Sequence, residues 1–348
     1  MTDHTLRILT RDEVKKRKPP SYLISRIIPE GGFVSLVAQP SNKKTFVALN
    51  MACCVSSGTP FHGKPVRQGN VVYIMAEGQS GIEKRLCAWE AHNSVEIDPS
   101  TFGFILEPLH LNQTDAVERL VAALDAYVAR VGQVDLIVVD TLNRSLDGDE
   151  NAARDMSDFV KGITAIIARF NAAVLVLHHP AKTGTGGARG HSSLNGAVDL
   201  GLEIKNGQNM KFKLHCDAKP PKDDEPAHPI ALEAVVVDLS DKMGFDDEGH
   251  PITSLALELV DIGLLDLVKT APVLTLRQQL EETLPTIIIG SVMSTSEIVE
   301  QVLDVGIKVS PKTVNRCLRN LVNQGVLIRP EKGKYQCVEP QIDFEPVE

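Results

Sequence analysis

Polar residues stand at the ends of four apolar runs in this chain, and their types suit phosphate chemistry. The first run, Phe33–Val37, leads directly into Ala38-Gln39-Pro40-Ser41-Asn42-Lys43-Lys44-Thr45, after which helical spacing begins. A loop between strand and helix turns backbone N–H groups and a helix N-terminus toward an anion. A Lys-Thr pair at that point adds a cation and a hydroxyl able to ligate magnesium. Ser41, Asn42, Lys43, Lys44 and Thr45 are therefore candidate nucleotide-binding residues. The octapeptide departs from the template GxxxxGK[ST] at both glycines, where it carries Ala38 and Lys43. Asn42 tolerates unusual backbone angles and is expected to replace part of the missing glycine freedom.

The other runs end in acidic residues or histidine. Val71–Met75 is followed by Ala76-Glu77-Gly78, Val134–Val139 by Asp140-Thr141, and Ala173–Leu177 by His178-His179. Open α/β sheets bind ligands at the carboxyl ends of their strands, so these residues and Lys44-Thr45 can form one site. Asp140 suits the magnesium shell together with Thr45, in the manner of an apolar strand that delivers a carboxylate. Each residue also has a plainer reading. A strand-end Asp often only caps a helix, and the histidines can be one strand cap and one buried ring.

The elements that would hold these residues alternate. Thr45–Ser57, Gly81–Asn93, Ala116–Val131 and Ala152–Phe170 have helical spacing, with strands Phe33–Val37, Gly69–Met75, Gly103–Leu106, Val134–Val139 and Ala173–Leu177 between them. Near-continuous Val/Ile/Leu strands separated by helices predict a mostly parallel sheet covered on both faces. Leu200–Ile204, Lys211–His215 and Ala231–Asp238 follow without helices between them, which predicts a finish in antiparallel hairpins. Near the C-terminus the pattern changes. A helix over Glu297–Leu303 capped by Ser294 or Thr295, a second from Ser310-Pro311 to about Asn323, and strands Gly325–Arg329 and Lys334–Val338 follow the winged helix-turn-helix plan. Lys312, Arg316 and Arg319, spaced by four and three, share one face of the second helix. That stripe serves DNA contact or protein docking. The expected division is an arm over 1–21, an α/β ATPase domain over 22–243, a linker and helical region over 244–290, and a winged-helix domain over 291–340.

In order and spacing these motifs resemble the RepA-type hexameric helicase family of RecA-like P-loop ATPases. The resemblance runs from Leu23 to about Leu239. It is carried by Ile28-Pro29-Glu30-Gly31-Gly32, Lys44-Thr45-Phe46-Val47-Ala48-Leu49, Val72-Tyr73-Ile74-Met75-Ala76-Glu77-Gly78, Arg85 with Trp89, Asp140-Thr141-Leu142, Gly148-Asp149-Glu150-Asn151, His178-His179 and Gly187-Ala188-Arg189-Gly190. It implies a RecA-like core, ATP and Mg²⁺ as cofactors, and a homo-oligomer, a hexamer by the family pattern, with single-stranded DNA as partner. It gives Lys44 to the phosphates, Thr45 and Asp140 to the metal, and Glu77 to the attacking water. His179 or His178 would sense the γ-phosphate. The glycine-rich stretch Ala181–Ser193, with Lys182, Arg189 and His191, would line the DNA channel. Lys219 or Lys222, with Arg189 and Arg85 as rivals, would reach a neighbouring subunit's nucleotide. Replication proteins are further partners for the winged helix. A RecA-like recombination or regulatory ATPase that does not unwind, and a DNA-binding regulator with a degenerate core, remain alternatives.

Composition narrows the setting. A formal net charge of −9 excludes a wholly basic surface, so nucleic-acid contact must be local. The basic run Lys15-Lys16-Arg17-Lys18 is an arm or linker. The six cysteines lack metal-site spacing and read as free thiols in a reducing compartment. The opening residues carry no secretory apolar region, and no run is long enough to span a membrane. A cytoplasmic location without membrane partners is expected.

Overall fold

The computed structural model describes residues 8–16, 21–39, 42–179, 192–206, 210–221, 225–261, 276–288, 291–304 and 309–337. The chain divides into two compact units, Met1–Val268 and Lys269–Glu348.

The first unit opens with the short helix α1 (Arg11–Lys15), where Thr10 and Glu13 cap each other, and the small hairpin β1 (Tyr22–Ile24) and β2 (Ile28–Pro29). Then come β3 (Phe33–Ala38), α2 (Lys44–Ser57), β4 (Val71–Met75), α3 (Ile82–Asn93), β5 (Phe102–Ile105), α4 (Thr114–Val131), β6 (Leu136–Asp140), α5 (Ala153–Phe170), β7 (Ala173–His178) and α6 (Ser192–Ala197). The unit closes with β8 (Leu200–Asn206), β9 (Lys211–Lys219), β10 (Ile230–Asp238), α7 (Ser240–Met243) and β11 (Thr253–Leu259). Nine of these strands form one sheet in the order β11-β10-β9-β8-β3-β7-β6-β4-β5. From β8 to β5 neighbouring strands are parallel, and β9, β10 and β11 extend the sheet antiparallel.

Alternation along each parallel strand divides the core in two. Val71, Tyr73, Met75, Leu136, Val138, Leu175 and Leu177 face one cluster, which includes much of α2. Val72, Ile74, Ile137, Val139, Val174 and Val176 face the other, under α4 and α5. Helix α4 turns Ala116, Leu120, Leu124 and Tyr127 inward at helical spacing, as an amphipathic helix must. By contrast α2 is buried nearly all round, from Val47 to Ser56, and touches β11 as well as the parallel strands. Every strand buried on both faces can be continuously apolar, which explains the sequence of β6 and β7.

Part of the stretch 244–290, expected to be a linker and helical region, extends the sheet. Thr253–Leu259 is an edge strand paired along its length with β10, so the sheet continues past residue 243. A turn around Gly244–Pro251 joins the two strands of that hairpin and makes the pairing local.

The second unit contains α8 (Leu276–Ile288), β12 (Val292–Ser294), α9 (Thr295–Asp304), α10 (Pro311–Asn323), β13 (Leu327–Ile328) and β14 (Lys334–Cys337). Its strands pair antiparallel in the order β12-β14-β13. Leu280, Leu284, Ile298, Val302, Val314, Leu318, Leu321 and Tyr335 meet in its core. Ser294 and Glu297 exchange hydrogen bonds at the start of α9. Ser310 caps α10 by accepting from the Thr313 amide at 3.3 Å, with Pro311 in the first turn.

Candidate nucleotide site

The carboxyl ends of β3, β4, β6 and β7 lie side by side in the sheet and bring together residues far apart in sequence. A cavity of about 330 Å³ at this edge is lined by Gln39, Asn42, Lys43, Lys44, Thr45, Phe46, Glu77, Arg85, Thr141 and His179. Asn42, Lys43, Lys44, Thr45, Glu77 and His179, all candidates from the sequence, thus line one cavity. Ser41 lies outside the described residues, as do Lys182, Arg189, His191 and Lys222.

Helix α2 begins at the cavity, and no side chain caps its first turn. The amide-bearing N-terminus of a helix and its dipole favour an anion there. Lys43, at the N-cap, adopts φ +58° and ψ +18°. The left-handed angle expected of Asn42 therefore falls on Lys43, the position where the template has glycine. The reason is geometric: the chain must reverse into the helix at the N-cap, one residue later than Asn42.

Lys44 is almost fully buried. Its Nζ donates to the His178 carbonyl at 3.4 Å and lies 3.2 Å from His179 Nδ1. The two histidines separate in role. His179 reaches the cavity, whereas the His178 side chain is buried at the end of β7 and its carbonyl accepts from Lys44. Sequence alone cannot distinguish adjacent strand-end residues, because alternation sends them to opposite sides only once the sheet register is known.

Asp140 is buried, with Oδ2 accepting from the Tyr73 hydroxyl at 2.9 Å. Its Oδ1 has no hydrogen-bond partner among the described residues. Burial pushes the carboxyl above its usual pKa range, while hydrogen bonding from Thr45 and Tyr73 and the charge of Lys44 pull it back. A buried carboxylate oxygen left bare beside a threonine hydroxyl fits a hydrated divalent cation. Thr45 and Asp140 are the residues that would hold Mg²⁺, directly or through water. Among the described residues no cluster of three His, Cys, Asp or Glu side chains could hold a metal by itself. A cation held by Thr45 and Asp140 would therefore need further ligands from phosphate or water.

Glu77 is half-exposed at the end of β4, and both its oxygens are engaged. Oε1 accepts from the Thr141 hydroxyl at 3.3 Å, and Oε2 lies 3.5 Å from Arg144 Nε. Arg144, which the sequence motifs do not single out, sits in the short turn after β6. Arg85 from α3 also lines the cavity, its guanidinium 5.4 Å from the Phe46 ring centre. Lys219 turns its ammonium back onto the carbonyls of Asn195, Gly196 and Val198 at the end of α6.

In the second unit, Lys312, Arg316 and Arg319 stand exposed along one face of α10, and none pairs with an acid among the described residues. No helix among the described residues is long and apolar enough to cross a membrane.

The arrangement suits binding and hydrolysis of a nucleoside triphosphate: an uncapped helix N-terminus and a buried lysine for phosphate, a hydroxyl and a carboxylate for Mg²⁺, and a second carboxylate for water. Comparison with known proteins agrees. The AAA domain family matches residues 2–185, just over half of the chain. No curated protein matches it. With that match and this site, the chain belongs to the AAA-domain family of P-loop NTPases and is an ATP-binding, ATP-hydrolysing protein.

Proposed function

We propose that this ATPase is a DNA translocase or replicative helicase of RepA type, with a RecA-like core and a C-terminal winged helix. It works as a homo-oligomer, a hexamer by family analogy, whose nucleotide sites lie between subunits and drive movement along single-stranded DNA. The observation that carries this reading is the contact between Lys44 Nζ and the His179 ring at 3.2 Å. His179 stands two residues before the stretch Ala181–Ser193, which bears Lys182, Arg189 and His191. A phosphate that draws on Lys44 also changes the partner of His179. The state of the nucleotide is thereby passed to a residue just before the proposed DNA loop.

In this account Lys44 binds the β- and γ-phosphates, and Thr45 with Asp140 holds Mg²⁺, which neutralises charge on the phosphate oxygens. Glu77, fixed by Thr141 and Arg144, orients the attacking water. Lys182, Arg189 and His191 track phosphates of the single strand without reading bases. The stripe Lys312, Arg316 and Arg319 on α10 supports DNA binding by the second unit, with replication proteins as the other class of partner.

ATP turnover measured with and without single-stranded DNA, followed by strand displacement on a forked duplex, tests the proposal. DNA-stimulated turnover with displacement is expected. Turnover without displacement would instead indicate a recombination or regulatory ATPase. Absence of turnover under all conditions would leave a DNA-binding regulator with a degenerate core, a reading favoured by the non-glycine left-handed residue Lys43.

A further inference from the structure

We infer that the Lys43 side chain is a second phosphate-binding cation, so that the residue standing in place of the loop glycine adds a charge to the nucleotide site. The inference rests on the reading of the cavity as an ATP site and assigns a role the template does not contain. Glycine adopts a φ of +58° without strain, whereas a lysine there brings its Cβ against the backbone. Strain kept at a ligand site points to something the side chain supplies.

What Lys43 supplies is visible in its surroundings. It lines the cavity with Lys44, Thr45 and His179. It forms no ion pair among the described residues, and the one carboxylate that lines the cavity, Glu77, is already held by Thr141 and Arg144. Lys44 is drawn inward, against the His178 carbonyl and the His179 ring. The deep part of the site thus has its cation and the bare Oδ1 of Asp140 for a metal. Around it stand the N-terminus of α2 and the partly buried Lys43, which also lines the cavity. A polyphosphate in this site would then meet two cations, the buried Lys44 and the more accessible Lys43. The extra positive charge compensates for a loop with fewer glycines, whose amides approach an anion less freely.

Isothermal titration of MgATP into the full chain at several salt concentrations, with melting of the nucleotide-free protein, tests this. Lys43→Gln keeps the strained backbone and removes the charge. It should weaken MgATP binding about five- to tenfold, flatten the salt dependence and leave the apo melting temperature unchanged. Lys43→Gly should weaken binding similarly while raising the apo melting temperature, because the strain is relieved. Wild-type affinity and salt dependence in both variants would overturn the inference while leaving the ATP site intact. Failure of the wild-type protein to bind MgATP would overturn both.

Discussion

Replacing Lys44 with methionine separates a lysine kept for the ligand from one kept for the fold. Methionine preserves most of the stem that packs in α2 and removes only the ammonium. In the nucleotide-free protein Lys44 is almost fully buried, and the contacts of its ammonium include a carbonyl at 3.4 Å and an imidazole at 3.2 Å. Hydrogen bonds from a charged donor contribute about 1.5–3 kcal/mol each. Desolvating a cation costs several kcal/mol, which those bonds and the charge of Asp140 only offset. Loss of Lys44 also removes a positive charge that favours the ionised Asp140. These opposing effects nearly cancel, so Lys44→Met should change apo stability by no more than about 1 kcal/mol, a shift of roughly 2–4 °C in melting temperature. A charge-assisted bond to phosphate is worth about 1.5–3 kcal/mol, which at about 1.4 kcal/mol per decade predicts roughly 10- to 150-fold weaker MgATP binding. Differential scanning fluorimetry and calorimetric titration read the two quantities separately. A variant that melts far below wild type yet binds MgATP normally would refute the reasoning, since Lys44 would then be a packing residue.

Burial holds the Asp140 carboxyl above its ordinary pKa, so its proton is bound more tightly in the folded state than in the unfolded chain. Stability from this group is present below the unfolded pKa and lost as pH rises through the folded one. Asp140→Asn should therefore melt above wild type at neutral pH, converge with it in acid, and gain nothing from Mg²⁺ with ATP; a gap independent of pH in melting curves would contradict the assignment. Gly162 of α5 has room for no side chain, since an added Cβ would lie 2.2 Å from the Leu111 carbonyl oxygen. Gly162→Ala should destabilise the first unit by about 1–3 kcal/mol in urea denaturation, and an unchanged midpoint would show that the helix shifts freely. Arg316→Ala and Arg319→Ala should each reduce the slope of log Kd against log salt for duplex DNA by about 0.9, with little change in ATP turnover. An unchanged slope would favour protein docking on α10.

Where residues pointed to one physical cause, the sequence was a sufficient guide. Continuous Val/Ile/Leu runs such as Leu136–Val139 can only be strands covered on both faces, and polar residues just beyond them mark the ligand edge. The Ser310-Pro311 start of α10 was equally plain, because cap and first turn are local chemistry. The edge strand β11 was hidden in a long apolar stretch after Pro251, where neither alternation nor helical spacing dominates. Pro285 inside α8 and the three-residue length of β12 concealed those elements. At the site, residue types named Lys44, Glu77, Asp140 and His179. The Tyr73–Asp140 bond, the Arg144–Glu77 pair and the turn of Lys43 depend on sheet register and rotamers, which no spacing rule encodes.

ATP turnover by the wild-type protein and by Glu77→Gln, each with Mg²⁺ and with or without single-stranded DNA, tests the site most directly. Hydrolysis by the wild type that rises with DNA, and a variant that binds ATP but scarcely hydrolyses it, is the predicted result. Equal turnover by the two proteins, or none by the wild type in any condition, would contradict it.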